Sequence, residues 1–288
     1  MLAATAAGCL REGTDGCPAC MYLVFTHKGT TQGFDSEIGN DVRLQIYYDG
    51  VWHSSRTIPY SAIAGGRKYY FKKSTSQQVG LVAYAVPPGA GENIVPGASE
   101  GLRFTDQKVA MPSYTRTLPQ CAPYTEDLYA GVVSVIEPWD QETEHVVQMN
   151  NVFCGVTVII KNAYLFRQHF PGVDPSLGLL GTARSATTHN GATDGEEVEI
   201  RSAFTYDQGS DRYTTAKMRV LPSPDGQKTL SVNIYEAPGQ QTLPAFDSGE
   251  LSVAAREVVI TYDMGENSVT ITLTVDGWDI RSETVPLK

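Results

Sequence analysis

Apolar residues in this chain recur at every second position over long stretches, and that alternation admits little besides β-strands with one face on a core. The clearest case is Ser268–Val275, where Val269, Ile271, Leu273 and Val275 share one face and Thr270, Thr272 and Thr274 the other. Asp276-Gly277, a two-residue turn signal, leads from it into Trp278-Asp-Ile280. Val42–Tyr48 is built the same way, with Val42, Leu44, Ile46 and Tyr48 on one face, then Asp49-Gly50 and a returning Val51-Trp52. Further strands are expected at 21–27, 79–86, 132–136, 155–161, 197–206, 216–221, 228–235 and 257–262. The one helical expectation is a turn or two within 174–186, which opens on Pro175 and carries Leu177, Leu179 and Leu180.

Many short strands separated by turn signals predict an all-β fold, and 288 residues suit two antiparallel β-sandwiches in tandem. The chain turns polar and acidic around 139–150 (Asp140, Glu142, Glu144), which places the expected boundary there: a tether over 1–20, a first domain over 21–140 and a second over 145–288. Residues 87–101, rich in Gly and Pro, read as a long loop. No run approaches the ~18 apolar residues of a membrane-spanning helix.

The N-terminus carries a separate signal. Ala6-Ala7-Gly8-Cys9 places small residues before a cysteine, the pattern a peptidase cleaves to leave a thiol for lipid attachment. Residues 1–8 are then the remnant of a leader, shorter than the charged start and ~7–15 apolar residues of a full signal peptide. With Cys9 acylated, Cys17, Cys20, Cys121 and Cys154 remain, and four cysteines allow three connectivities. The separation of Cys121 from Cys154 suits a long-range bridge; buried thiols are the other reading.

Charge and spacing exclude several chemistries. A net charge of −10 argues against nucleic acid, which is bound through basic clusters. The one basic knot, Arg67-Lys-Tyr-Tyr-Phe-Lys-Lys73, is read as an exposed strand with charged ends. Gly97-Ala-Ser99-Glu-Gly101 matches the nucleophile elbow of hydrolases in letters, but it sits in a loop, not at a strand-to-helix turn. Cys17-Pro-Ala-Cys20 has metal or redox spacing without a second ligand pair or a helix N-terminus, so neither metal nor redox chemistry is expected of it. Asp207-Gln-Gly-Ser-Asp211 reads as an acidic turn rather than a calcium loop, and Glu196, Glu197 and Glu199 as a solvated strand end. The chain is read as a non-enzyme with no cofactor.

Several pieces, in order, resemble a known family. Cys9-Leu-Arg-Glu-Gly-Thr-Asp-Gly-Cys17-Pro18, then Val42-Arg-Leu-Gln-Ile-Tyr-Tyr-Asp-Gly50, Gly80-Leu-Val-Ala-Tyr84, Asp127-Leu-Tyr-Ala-Gly131 and a closing Val275-Asp-Gly-Trp278 are similar to the FimB/Mfa2 family of Bacteroidales fimbrial subunits. Cys20 and Ala6 depart from that pattern. The resemblance implies two transthyretin-like, Greek-key sandwiches in a surface lipoprotein that anchors a type V-like pilus to the outer membrane through acylated Cys9. It also implies strand-mediated contact with other fimbrial subunits, the stalk pilin among them. The first strand, pinned near Cys9, is expected to stay in its own sheet. The segment after Gly277 is the expected strand donor, offering Trp278, Ile280 and Val285 to a partner while Arg281, Ser282 and Glu283 stay wet. The plainer alternative is a last strand that completes its own sandwich. A glycan-binding lipoprotein or an adhesin tip is the second functional reading, with Trp52, Trp139 and Trp278 as the aromatic candidates.

Overall fold

A computed structural model describes residues 20–72, 78–89, 94–112, 120–135, 143–193, 197–223, 229–237, 240–248 and 257–287. Among them the first strands are β1 (Cys20–His27), β2 (Val42–Tyr48), β3 (Val51–Ile58), β4 (Tyr69–Lys72), β5 (Val79–Ala85), β6 (Lys108–Ala110), β7 (Gln120–Cys121), β8 (Tyr129–Val135) and β9 (Thr143–Asn151). There follow β10 (Cys154–Lys161), β11 (Ser176–Ala183), β12 (Ser185–Thr187), β13 (Glu197–Asp207), β14 (Arg212–Thr215), β15 (Met218–Val220) and β16 (Ser231–Ala237). The chain closes with β17 (Gln240–Gln241), β18 (Phe246–Asp247), β19 (Glu257–Met264), β20 (Ser268–Val275) and β21 (Trp278–Pro286).

The all-β expectation holds. Seven strands form one sheet in the order β3-β2-β5-β8-β9-β1-β4, and a larger sheet runs β17-β16-β11-β13-β14-β10-β19-β20-β21. The first sheet curls until Arg56 of β3 lies 5.8 Å over the ring of Phe71 in β4, although those strands end opposite sides of the sheet. Pairing is mainly antiparallel, yet β1 runs parallel to β9 and β10 parallel to β19. Both parallel pairs join strands far apart in sequence, so no local turn announces them.

Three expectations need correcting. The stretch read as a boundary contributes β9, which lies between β8 and β1 in the first sheet, so the chain leaves that sheet between Asn151 and Cys154. Beneath the acidic composition, Val147 and Met149 alternate into the core. Residues before the expected boundary also cross over: β6 pairs with β12 and β7 with β13. The helical turns expected within 174–186 are strand β11, whose Leu177 and Leu179 are buried at strand spacing. A helix forms instead at Ala163–His169, burying Ala163, Leu165 and Phe166.

The two sheets share packing. On one face of β5, Val79, Leu81, Ala83 and Ala85 meet Met21, Phe25, Phe34 and Ile63. On its other face Val82 and Tyr84 belong to the apolar cluster that runs into the second sheet. The loop after β5 lies over this second face. Tyr47 donates to Gln45 Oε1 (3.0 Å), and the Gln45 and Gln107 amides donate to the carbonyls of Pro96 (2.8 Å) and Gly97 (3.2 Å). Phe104 packs onto Gly80 so closely that a Cβ there would stand 2.8 Å from the ring, which is why β5 carries a glycine at that point. Burial holds the Tyr84 hydroxyl, which shares a 2.6 Å hydrogen bond with Thr188, at a pKa of about 12.

The junction between the sheets is clasped by Arg219 of β15. Its guanidinium donates to Asp127 (2.7 Å) and Glu257 (2.9 Å), and Asp127 also accepts from the Asn151 amide (2.6 Å). A largely buried ion pair with both partners hydrogen-bonded orients the segments it joins more than it stabilises them.

Candidate functional site

The site is the last hairpin, β20–β21, at one end of the larger sheet. The turn between them is set by sequence: Asp276 (φ 51°) and Gly277 (φ 85°) both adopt left-handed backbone, as a two-residue hairpin turn requires. Val269, Ile271, Leu273 and Val275 of β20 are buried, and its threonines face outward to β21. There Thr270 bonds Thr284 (3.0 Å), Thr272 bonds Ser282 (3.2 Å), and Thr274 donates to Asp279 (2.7 Å).

β21 pairs with β20 along its whole length and ends the sheet, with no further strand beside it among the described residues. The register runs Val269↔Val285, Ile271↔Glu283, Leu273↔Arg281, then shifts to Thr274↔Asp279 and Val275↔Trp278, leaving Ile280 as the extra residue of a β-bulge. Cross-strand partners share a face. Trp278, Arg281, Glu283 and Val285 therefore all lie on the core side. Val285 packs there against the apolar cluster. Trp278 stands beyond the end of the core at 76 % exposure, and the bulged Ile280 is 61 % exposed.

Of Arg281, Ser282 and Glu283, read as staying wet, the first two are exposed and Glu283 is half-buried. Arg281 bonds Glu283 (2.8 Å), donates to the Asp247 carbonyl (3.0 Å) and lies 5.7 Å over Phe246. Beneath them the buried Tyr262 hydroxyl is held protonated, its pKa raised by burial first and by the Glu283 carboxylate second. Parity in the sequence, 281, 283 and 285, signals that shared face; the bulge that brings Trp278 onto it leaves no mark in the letters.

The other expected residues fall as follows. Cys9, Cys17 and Trp139 lie outside the described residues, and Cys20 opens β1. β1 is held between β9 and β4, inside its own sheet. Cys121 and Cys154 are both buried thiols rather than the halves of one bridge. Burial pushes the Cys154 thiol up to about 12, so it stays protonated and inert. Trp52 is half-buried, its indole N–H donating to Ser55 (3.3 Å). Ser99 sits exposed in the loop over β5 with no helix behind it.

The acids differ from a solvated strand end. Glu199 accepts from Gln120 (3.0 Å) and Tyr235 (3.1 Å) and pairs with Arg201 (2.9 Å), while Glu197 accepts from the Gly181 N–H (2.6 Å). Glu196 lies outside the described residues. The 207–211 segment is a closed turn: Asp207 accepts from Gly209 (3.0 Å), and Asp211 from Tyr206 (3.0 Å) and Arg167 (3.3 Å). Among the described residues no group of three or more His, Cys, Asp or Glu could hold a metal ion.

The family model of the fimbrillin-A associated anchor proteins Mfa1 and Mfa2 matches residues 14–284 of this chain. The chain belongs to that family. It is therefore a fimbrium-associated surface protein, of the accessory-subunit type. Its fold is similar to that of the fimbrial anchor protein Mfa2 from Porphyromonas gingivalis, with a TM-score of 0.59 at 12% identity over 93% of this chain and 100% of that one. A candidate adhesin from Bacteroides ovatus aligns at a TM-score of 0.63 and 13% identity, over 93% of this chain and 95% of that one. A candidate polysaccharide-binding protein from Bacteroides thetaiotaomicron aligns at 0.61 and 13% identity, over 94% and 98%. No curated protein matches the chain in sequence.

Proposed function

We propose that this family member is a non-enzymatic anchor subunit, tied to the outer membrane by an acylated Cys9, that holds the neighbouring fimbrial subunit through the open side of β21. The observation that carries the reading is a nine-residue edge strand with two large apolar side chains, Trp278 and Ile280, exposed at its start. Edge strands ordinarily carry a guard against pairing. Here the guards are the bulge at Ile280 and Pro286, and they bracket residues 281–285. A partner strand can add main-chain hydrogen bonds only within that window, which fixes its register, while Trp278 and Ile280 supply apolar contact next to it.

β21 acts in place in this reading. Donating it to a neighbour would strip the β20 ladder and expose the face on which Val285 packs. Deleting 283–288 should release fibres into the medium and, because Val285 and the ladder to Ser268–Ile271 go with it, lower the melting temperature without unfolding the body. If fibres stay on the cells, the junction lies elsewhere. Intact mass of native protein beside a Cys9→Ser control reads the anchor; an unmodified Cys9 removes that half of the proposal. A glycan-binding role is favoured by one observation, the exposed indole of Trp278. Loss of glycan retention in Trp278→Ala, with fibre attachment intact, would select it.

A further inference from the structure

The opposite end of the first sheet carries another surface. Tyr22 of β1 and Tyr70 of β4 are register partners with ring centroids 5.9 Å apart, and Tyr70 is 50 % exposed. Val24 of β1 sits beside Val146 of β9, which is 57 % exposed and continues the apolar strip. Just before β4, Arg67 donates to the Ser61 carbonyl (2.9 Å) with its side chain at the surface, and Lys68 pairs with Glu144. Arg67 and Lys68 open the only basic knot in a chain of net charge −10.

Two facts say what covers this strip. The first is where the chain enters the body: Cys20 begins β1 and is the register partner of Lys72 in β4. Cys9 precedes Cys20 by eleven positions. That length of chain spans at most about 40 Å when fully extended. An acyl group on Cys9 thus keeps the β1–β4 end within reach of the bilayer. The second is charge: the acidic body is repelled by anionic headgroups, whereas a basic knot with interleaved tyrosines suits them, the cations meeting phosphates and the rings lying at headgroup depth.

We infer that the outward face formed by Tyr22, Tyr70 and Val146, with the basic residues Arg67 and Lys68 just before β4 beside it, is a contact surface for phosphate-bearing lipid headgroups and sets how the body stands on its membrane. The inference rests on the Cys9 reading for why this end meets a bilayer. Its test is independent of acylation, because it uses the full-length Cys9→Ser chain, which cannot be lipidated there.

That protein, spun down with vesicles containing about one-third phosphatidylglycerol, should bind at low salt. It should bind purely zwitterionic vesicles much less and lose binding as salt screens the charges. Adding Arg67→Gln and Tyr70→Ser should weaken binding by at least about fivefold, the effect of one surface cation. The melting temperature should stay put, since both side chains are exposed and the Lys68–Glu144 pair is untouched. Equal binding with and without the two substitutions would overturn the inference, as would no salt dependence or no binding at all. So would a Cys9→Ser dimer that Tyr70→Ser dissociates, since the strip would then belong to a second copy. Failure of the anchor reading would show separately, as an unmodified Cys9 in the native protein.

Discussion

Two hairpins in this molecule are built alike and finished differently. β2–β3 turns on Asp49-Gly50 and β20–β21 on Asp276-Gly277, all four residues in left-handed backbone. In each returning strand two residues pair and the third is extruded: His53 in β3 and Ile280 in β21. Each strand ends its sheet. Beyond that the two part company. The loop after β5 folds back across the start of β3, where the Trp52 N–H donates to the Leu102 carbonyl (2.8 Å) and the Phe104 N–H to the Gly50 carbonyl (2.7 Å). The rest of β3 exposes His53, Ser55, Arg56 and Thr57. β21 has no such cover among the described residues, and its extruded residue is apolar. One construction therefore gives a closed edge where a loop of the chain lies over it, and an open one where no described segment does.

The largest test of that contrast is Phe104→Ala. The ring is buried against Gly80 and meets Tyr47 at 5.4 Å, so its loss should cost about 3–5 kcal/mol in denaturant unfolding. It should also loosen the cover and let β3 pair, seen as self-association in light scattering. A destabilised protein that stays monomeric would mean that the polar side chains of β3, not the loop, keep that edge shut.

Next come the twin substitutions Gly50→Ala and Gly277→Ala. A Cβ added at either position would meet nothing within 4 Å, so the cost is backbone strain alone, at φ 77° and 85°. Each should lose about 1 kcal/mol, and the two losses should agree. Unequal losses would show that the turns are not equivalent in solution.

Smaller effects separate the strands' arginines. Arg281→Ala removes a carbonyl contact, an ion pair and a ring contact, and should cost about 1 kcal/mol, since the pair is partly exposed. Arg56→Ala removes only a distant ring contact to Phe71 and should cost about half as much or less. Smallest in stability is Ile280→Thr combined with Trp278→Ser, within about 0.5 kcal/mol because both side chains are exposed. Fibre retention on cells should nevertheless fall. Retention at the original level would make the exposed pair incidental to the junction.

Read without its fold, the chain already settles what is local. Alternation fixed which residues of Ser268–Val275 face a core, and Asp-Gly pairs fixed two hairpins and the twist of their turns, because these follow from backbone geometry within a few residues. Ordered pieces from Cys9 to Trp278 also pointed to the right family. Composition misled where it stood in for contacts: acidic 139–150 contains a strand of the first sheet, and Glu199 is held by Gln120, Tyr235 and Arg201. Tertiary structure alone decided which strand lies beside which, as in the parallel β1/β9 and β10/β19 pairs, and which edge the chain covers. It also decided that Ile280 is extruded. The reason is physical: a two-residue period tells a side chain which face to take, but neighbours are chosen by packing between residues a hundred or more positions apart, and a bulge is a compromise between two strands that neither one encodes.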